Sequence, residues 1–235
     1  SAQGDLTSAL VAFKSAEKLS ADAFDRTIVA LVTGHAYKNA SQYEQALASY
    51  QQSLKQAGIA KSKAFERVSN IGIGNVYFET RQYASALESY LTAHKLDAND
   101  NERGESYEKI ALSYHVLEQH DKALEYQLKA FFMHDKSGTP DQYAHSSIEL
   151  GRYYAAVKNY SNAENTLNKI IKFANEQGGA YYEAQAYYVL AQVKAAAGDM
   201  QSAKNMIEKA RAIAKSTNDQ DLDEEITRET NGLIK

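Results

Sequence analysis

The chain has 235 residues, of which 44% are hydrophobic and 24% charged, and it carries one proline, 17 tyrosines, no tryptophan and no cysteine. A net charge of −4 offers no basic surface for a phosphate backbone, so nucleic acid is not expected as a partner. The missing cysteines remove disulfides, thiolate catalysis and cysteine-ligated zinc, and no run of about 18 apolar residues is present to cross a bilayer.

One proline leaves room for long uninterrupted helices, because proline removes a donor and clashes with the preceding turn. The first predicted helix, 5–18, places Ala9 37 residues before Ala46 and reads as the second half of a repeat, implying that the native polypeptide extends upstream. Helices over 22–39 and 42–57 follow, with GHAYKNASQYEQALASYQQSL starting at Gly34. Ser41 and Glu44 are spaced as a capping box at the second of these. The pair 60–80 and 83–96 carries GNVYFETRQYASALESYLTAHKL from Gly74, and the pair 103–117 and 120–134 carries ALSYHVLEQHDKALEYQLKAF from Ala111. Thr139-Pro140 predicts an N-cap with proline at the first helical position, opening the pair 140–157 and 160–176. That pair holds GRYYAAVKNYSNAENTLNKII from Gly151, and Ser161 with Glu164 has capping-box spacing. Helices 179–197 and 200–215 carry AQVKAAAGDMQSAKNMIEKA from Ala191, and a last helix, 220–233, begins acidic at Asp221. Gly58, Gly138 and Gly178-Gly179 are expected to stop the long second helices, and no strand is expected.

The five segments align on Ala46, Ala86, Ala123, Ala163 and Ala203, separated by 40, 37, 40 and 40 residues. A small residue (Gly34, Gly74, Ala111, Gly151, Ala191) stands twelve positions before each alanine, where two helix backbones must approach closely. Tyr37, Tyr77, Tyr114 and Tyr154 follow the small residue by three, one turn along the same face. Tyr50 and Tyr90 lie four after their alanines, and Tyr43, Tyr83, Tyr160 or Met200 begins a second helix. A fixed period of this length marks a solenoid of stacked units.

Small–x–x–Tyr, a turn, then Tyr–x–x–Ala–x–x–x–Tyr resembles the tetratricopeptide repeat, in its longer-helix form near 40 residues, similar to kinesin light chain, LGN-type adaptors and Rap-type regulators. Lys194, Leu167, Ile207 and Gln127 depart from the aromatic pattern. The resemblance implies an all-α, right-handed α-solenoid of antiparallel helix pairs with about twelve helices. It divides one repeat domain into a half repeat 1–20, repeats at about 21–59, 60–99, 100–138, 139–178 and 179–218, and a capping segment 219–235. It also implies a protein or peptide partner held on the concave face of the first helices. By register that face takes His35, Asn75, Leu112, Arg152 and Gln192, with Leu31, Ile71, Glu108, Ile148 and Tyr188 one turn earlier and Lys38, Phe78 and His115 one turn later. The family's chaperone-tail clamp uses a lysine where Ile71 stands, so only Asn75 matches it. A regulatory input segment of a larger bacterial signalling protein and a self-associating scaffold are the alternative readings.

Catalytic constellations are missing from the pattern. Gly72-Ile-Gly74 lies inside a helical repeat, whereas a dinucleotide loop must follow a strand. The six histidines show no metal-binding helix spacing, and no serine sits in a nucleophile elbow. Asn39-Ala-Ser41 and Asn159-Tyr-Ser161 match the glycosylation sequon, but both serines are read as caps. The expectation is a binding protein with no enzyme activity, no cofactor, no metal and no membrane insertion, open to homo-oligomer formation; the compartment is left open, a cytoplasmic one being favoured.

Overall fold

The structure, a computed structural model, describes residues 2–20 and 22–233, so Ser1, Ala21 and residues 234–235, at the edges of the expected half repeat, first full repeat and capping segment, lie outside the described residues. Among the described residues there are twelve helices: α1 (Ala2–Leu19), α2 (Ala23–Asn39), α3 (Tyr43–Ile59), α4 (Lys63–Glu79), α5 (Tyr83–His94), α6 (Asp100–Val116), α7 (His120–Ser137), α8 (Pro140–Ala156), α9 (Tyr160–Gln177), α10 (Ala180–Ala196), α11 (Met200–Thr217) and α12 (Gln220–Glu229). Among the described residues there is no strand. The helices gather into two compact units, Ser1–Glu118 and Gln119–Lys235.

In the first unit α1 lies on α2, α2 pairs with α3, and α4 packs between α3 and α5, with α6 against α5. Contact between α2 and α4 brings consecutive first helices side by side. Leu31, Ala46, Tyr50, Ile73 and Val76 form the core there, flanked by the half-buried Tyr37, Tyr43, Phe65 and Tyr77. Tyr50 is fully buried, and its ring fits a notch between Gly34 and Gly72. A Cβ on Gly34 would lie 2.7 Å from its Cδ1, and one on Gly72 2.6 Å from its Cε1. Gly74 stands in the same relation to Tyr90, at 2.5 Å. The small residue thus accommodates an aromatic sixteen positions later in the second helix, more than the tyrosine one turn along its own helix. Burying such a side chain contributes about 1.5–3 kcal/mol, which requires that the backbones carry no Cβ at the point of approach.

The second unit repeats the plan with aliphatic fillers. α8 packs on α7 and α9, α10 on α9, α11 and α8, and α12 on α11 and α10. Leu167 takes the tyrosine's place against Gly151, where a Cβ would stand 2.7 Å from its Cγ. Ile148, Ile170, Ile207, Leu222 and Ile226 complete the core. Gln127, at the equivalent position on α7, is buried and donates from Nε2 to the Ser146 carbonyl (3.0 Å) and Oγ (3.1 Å), which satisfies it without an aromatic. All five aligned alanines are fully buried.

The turns overturn part of the capping scheme. Ser41 is not an N-cap: it adopts a left-handed conformation at φ 58°, and Gln42 precedes α3 without capping it through its side chain. Ser161 lies inside α9, whose N-cap is Asn159 accepting from the Asn162 amide at 3.3 Å. Arg81, Glu118 and Lys158 share the left-handed conformation of Ser41, and Gly198 adopts it in the last full repeat. After Ser41, Arg81, Lys158 and Gly198 the next residue donates back across the turn, as Gln42 N–H does to the Tyr37 carbonyl and Gln82 N–H to the Tyr77 carbonyl. A left-handed non-glycine costs about 1–2 kcal/mol, so these turns are held by the helix pairs they join rather than by local preference. Gly58 does not stop α3 either, which runs on to Ile59. Thr139 does form a capping box with Gln142, Gly138 is the C-cap of α7, and Gly178 closes α9 at φ 73°.

Candidate functional site

The nine candidate residues of the first unit sit on α2, α4 and α6. Leu31 and Ile71 are each 8% exposed and contribute to packing. His35 and Leu112 are exposed, and Lys38, Asn75, Phe78, Glu108 and His115 are half-buried. His35 Nδ1 lies 2.8 Å from the Tyr50 hydroxyl, with the two rings edge-on at 5.3 Å. One repeat later the Tyr90 hydroxyl donates to Asn75 Oδ1, also at 2.8 Å. Burial pushes the Tyr50 hydroxyl up to about 12, and Tyr90 is raised by burial and by Glu79, so both phenols remain protonated donors at neutral pH. Desolvation, then the Lys38 ammonium, lowers the His35 pKa and favours a neutral ring that accepts at Nδ1. Each buried tyrosine therefore reaches through the first helix and fixes a polar side chain on its outer face. Phe78 stands edge-on to Tyr83, with ring centroids 5.2 Å apart.

In the second unit Ile148 and Tyr188 are 2% and 1% exposed, and Arg152 and Gln192 are half-buried. Arg152 Nη1 donates to Gln192 Oε1 (3.1 Å), Nη2 to the Tyr188 hydroxyl (3.3 Å), and Nε pairs with Glu149 (3.1 Å). Tyr188 donates onward to Glu225 Oε1 at 2.6 Å, where Gln185 Nε2 also donates at 2.9 Å, and Tyr181 donates to Oε2 at 3.2 Å. Gln192 Nε2 donates to the Glu229 carbonyl at 2.8 Å. Arg152, Tyr188 and Gln192 are thus brought together, and α12 holds them through the Glu225 carboxylate and the Glu229 carbonyl, which sequence reading did not single out. Glu225 is 37 residues from Tyr188, and nothing local marks the pair.

A second network missed in the sequence surrounds Arg67, 5% exposed on α4. Its Nε meets Asp97 Oδ1 at 2.6 Å and its Nη2 meets Glu105 Oε2 at 2.8 Å and the Glu102 carbonyl at 3.1 Å. Asp97 also holds His94 Nδ1 (2.7 Å) and accepts from Ser106 Oγ (2.9 Å). This cluster ties α4 to the α5–α6 connection and to α6, fixing the stacking of one repeat on the next.

In the row one turn before the register position Leu31, Ile71, Ile148 and Tyr188 are buried and Glu108 is half-buried, because a first helix packs on both its partner and its neighbouring repeat. Two surface hollows, of about 520 Å³ beside Arg211, Lys215 and Asp223 and about 370 Å³ beside Pro140, Tyr143 and Phe173, contain none of the candidates. Among the described residues no three His, Asp or Glu side chains gather as a metal site, and no helix is long and apolar enough to cross a membrane.

Residues 142–216 match the family model of the tetratricopeptide repeat (TPR). No curated protein matches this sequence. Among solved structures, BtubC (BKLC) from P. vanneervenii is similar with a TM-score of 0.80 at 17% identity, covering 93% of both chains. The nearly identical TPR-like repeats named for a kinesin light chain of Podosopora anserina give 0.73 at 20% identity over 82% of this chain and 96% of theirs. YrrB, described as a TPR protein with an unusual peptide-binding site, gives 0.59 at 21% identity over 92% of this chain and 98% of its own. At these identities the likeness is one of fold. The comparisons thus show a tetratricopeptide repeat over residues 142–216 and, along the helix pairs, a fold shared with these TPR-like structures.

Proposed function

We propose that the protein is an interaction module, not an enzyme, and that it holds a peptide on the first-helix face of its first unit. The observation that carries this reading is the pair of braced polar groups, His35 on Tyr50 and Asn75 on Tyr90. A side chain whose rotamer is already fixed loses little entropy on binding, so it recognises a ligand more strongly than a free one. Tyr90 occupies Asn75 Oδ1 and leaves Nδ2 as the donor for a peptide carbonyl. Leu112, 40% exposed, and the half-buried Phe78 supply apolar contact on the same row of helices. Arg152 and Gln192 contribute less, since Tyr188 already engages the first and α12 the second. The fold shared with YrrB, described as peptide-binding, supports the reading.

The test is selection of binders from a displayed peptide library, followed by anisotropy titration of the winning peptide. Asn75→Ala and Leu112→Asp are each expected to weaken it roughly tenfold or more, as the loss of one good contact at a binding centre does. Unchanged affinity in both variants would place the peptide elsewhere and overturn the proposal.

A further inference from the structure

We propose that Asn231 is a site of spontaneous deamidation through the backbone nitrogen of Gly232, and that this change loosens α12. The inference is independent of the peptide-binding reading. Asn231-Gly232 is the one Asn-Gly pair in the sequence. Both residues are exposed in the turn that follows α12. Gly232 has φ 87°, and nothing lies within 4 Å of where its Cβ would be, so the backbone has room to fold the nitrogen onto the asparagine side chain.

The chemistry needs only water. Gly232 N loses its proton to solvent and attacks Asn231 Cγ; a new C–N bond forms, the Cγ–Nδ2 bond breaks, and ammonia leaves. Water then opens the resulting succinimide at either carbonyl, giving aspartate or the β-linked isoaspartate. Three other asparagines at helix ends are guarded. After Asn218, the Asp219 nitrogen donates to the Ala214 carbonyl at 2.9 Å. After Asn39, the Ala40 nitrogen donates to Ala36 at 3.1 Å. At Asn159 the side-chain oxygen is held by Asn162 N–H, and the bulky Tyr160 follows.

The product puts a carboxylate just beyond the C-terminus of α12, where the helix dipole opposes negative charge. It lies two residues from Glu229, whose carbonyl accepts from Gln192 of α10. Isoaspartate also lengthens the backbone by a methylene there. Both changes work against the docking of α12.

The full-length protein is aged in mildly alkaline buffer at physiological temperature and followed by peptide mapping with isoaspartate quantification, alongside hydrogen exchange of α12. Asn231 is expected to convert before Asn218, Asn159 and Asn39, with isoaspartate exceeding aspartate, and the aged protein to exchange faster in α12. Gly232→Ala should slow conversion by roughly an order of magnitude, and Asn231→Gln should abolish it at this position. The site is refuted if Asn231 stays intact, if another asparagine converts first, or if Gly232→Ala ages as fast as the native protein. Equal exchange in fresh and aged protein would remove the effect on α12.

Discussion

The ring of Tyr50 occupies the space that a side chain on Gly72 would need, with Cε1 2.6 Å from the Cβ position. A Cβ on Gly34 would likewise stand 2.7 Å from Cδ1 and Cε1 of the same ring, so two helices crowd this edge of the tyrosine. Gly72→Ala should therefore destabilise the protein by about 1–3 kcal/mol through overpacking, although alanine gains about 1 kcal/mol in helix propensity. Gly58, in α3 with nothing within 4 Å, is the control. There the propensity gain is unopposed, and Gly58→Ala should stabilise by about 0.5–1 kcal/mol. Urea titrations of the two variants must move in opposite directions for this account of the glycines to stand.

Arg67 and Asp97 are buried together, with side-chain exposures of 6% and 1%. Removing one partner strands the other charge away from water. Arg67→Met is expected to cost about 3–5 kcal/mol, and adding Asp97→Asn should restore part of it. A double variant whose loss equals the sum of the single losses would show that the pair is not coupled.

The His35–Tyr50 contact predicts two arms of pH dependence. The unfolded imidazole titrates near 6.5, whereas the folded one binds a proton only at lower pH. Its contribution to stability is full above 6.5 and declines as pH falls below that value. Tyr50 gives the opposite arm: its contribution is full below 10 and is lost as pH rises from 10 toward about 12. An NMR titration placing the His35 midpoint at or above 6.5 would contradict the desolvated, accepting imidazole.

Glu225 accepts from Tyr181, Gln185 and Tyr188, and its loss leaves the buried Tyr188 hydroxyl short of its acceptor. Glu225→Ala should lower the opening free energy of α12, measured by hydrogen exchange, by about 1–3 kcal/mol. Glu224→Ala, at an exposed neighbour with no part in that network, should stay within about 0.5 kcal/mol.

The helix pairs were legible in the amino-acid order alone, because periodicity and residue size are local properties. The alanines at 46, 86, 123, 163 and 203 had to be buried for their period to make sense, and they are. Thr139 followed by proline was legible as a cap for the same reason: its partners lie within one turn. Ser41 and Ser161 deceived because a capping box is also written by chance, and the left-handed turns between helices are imposed by packing on residues with no preference for them. Which first-helix residues remain open was settled by the three-dimensional packing. Ile148 is buried where Glu108, at the same register position, is half-open, and Arg152 is engaged by a run of contacts through Tyr188 that reaches α12. Such contacts depend on the stacking of one repeat on the next, and the sequence within a repeat carries no record of it.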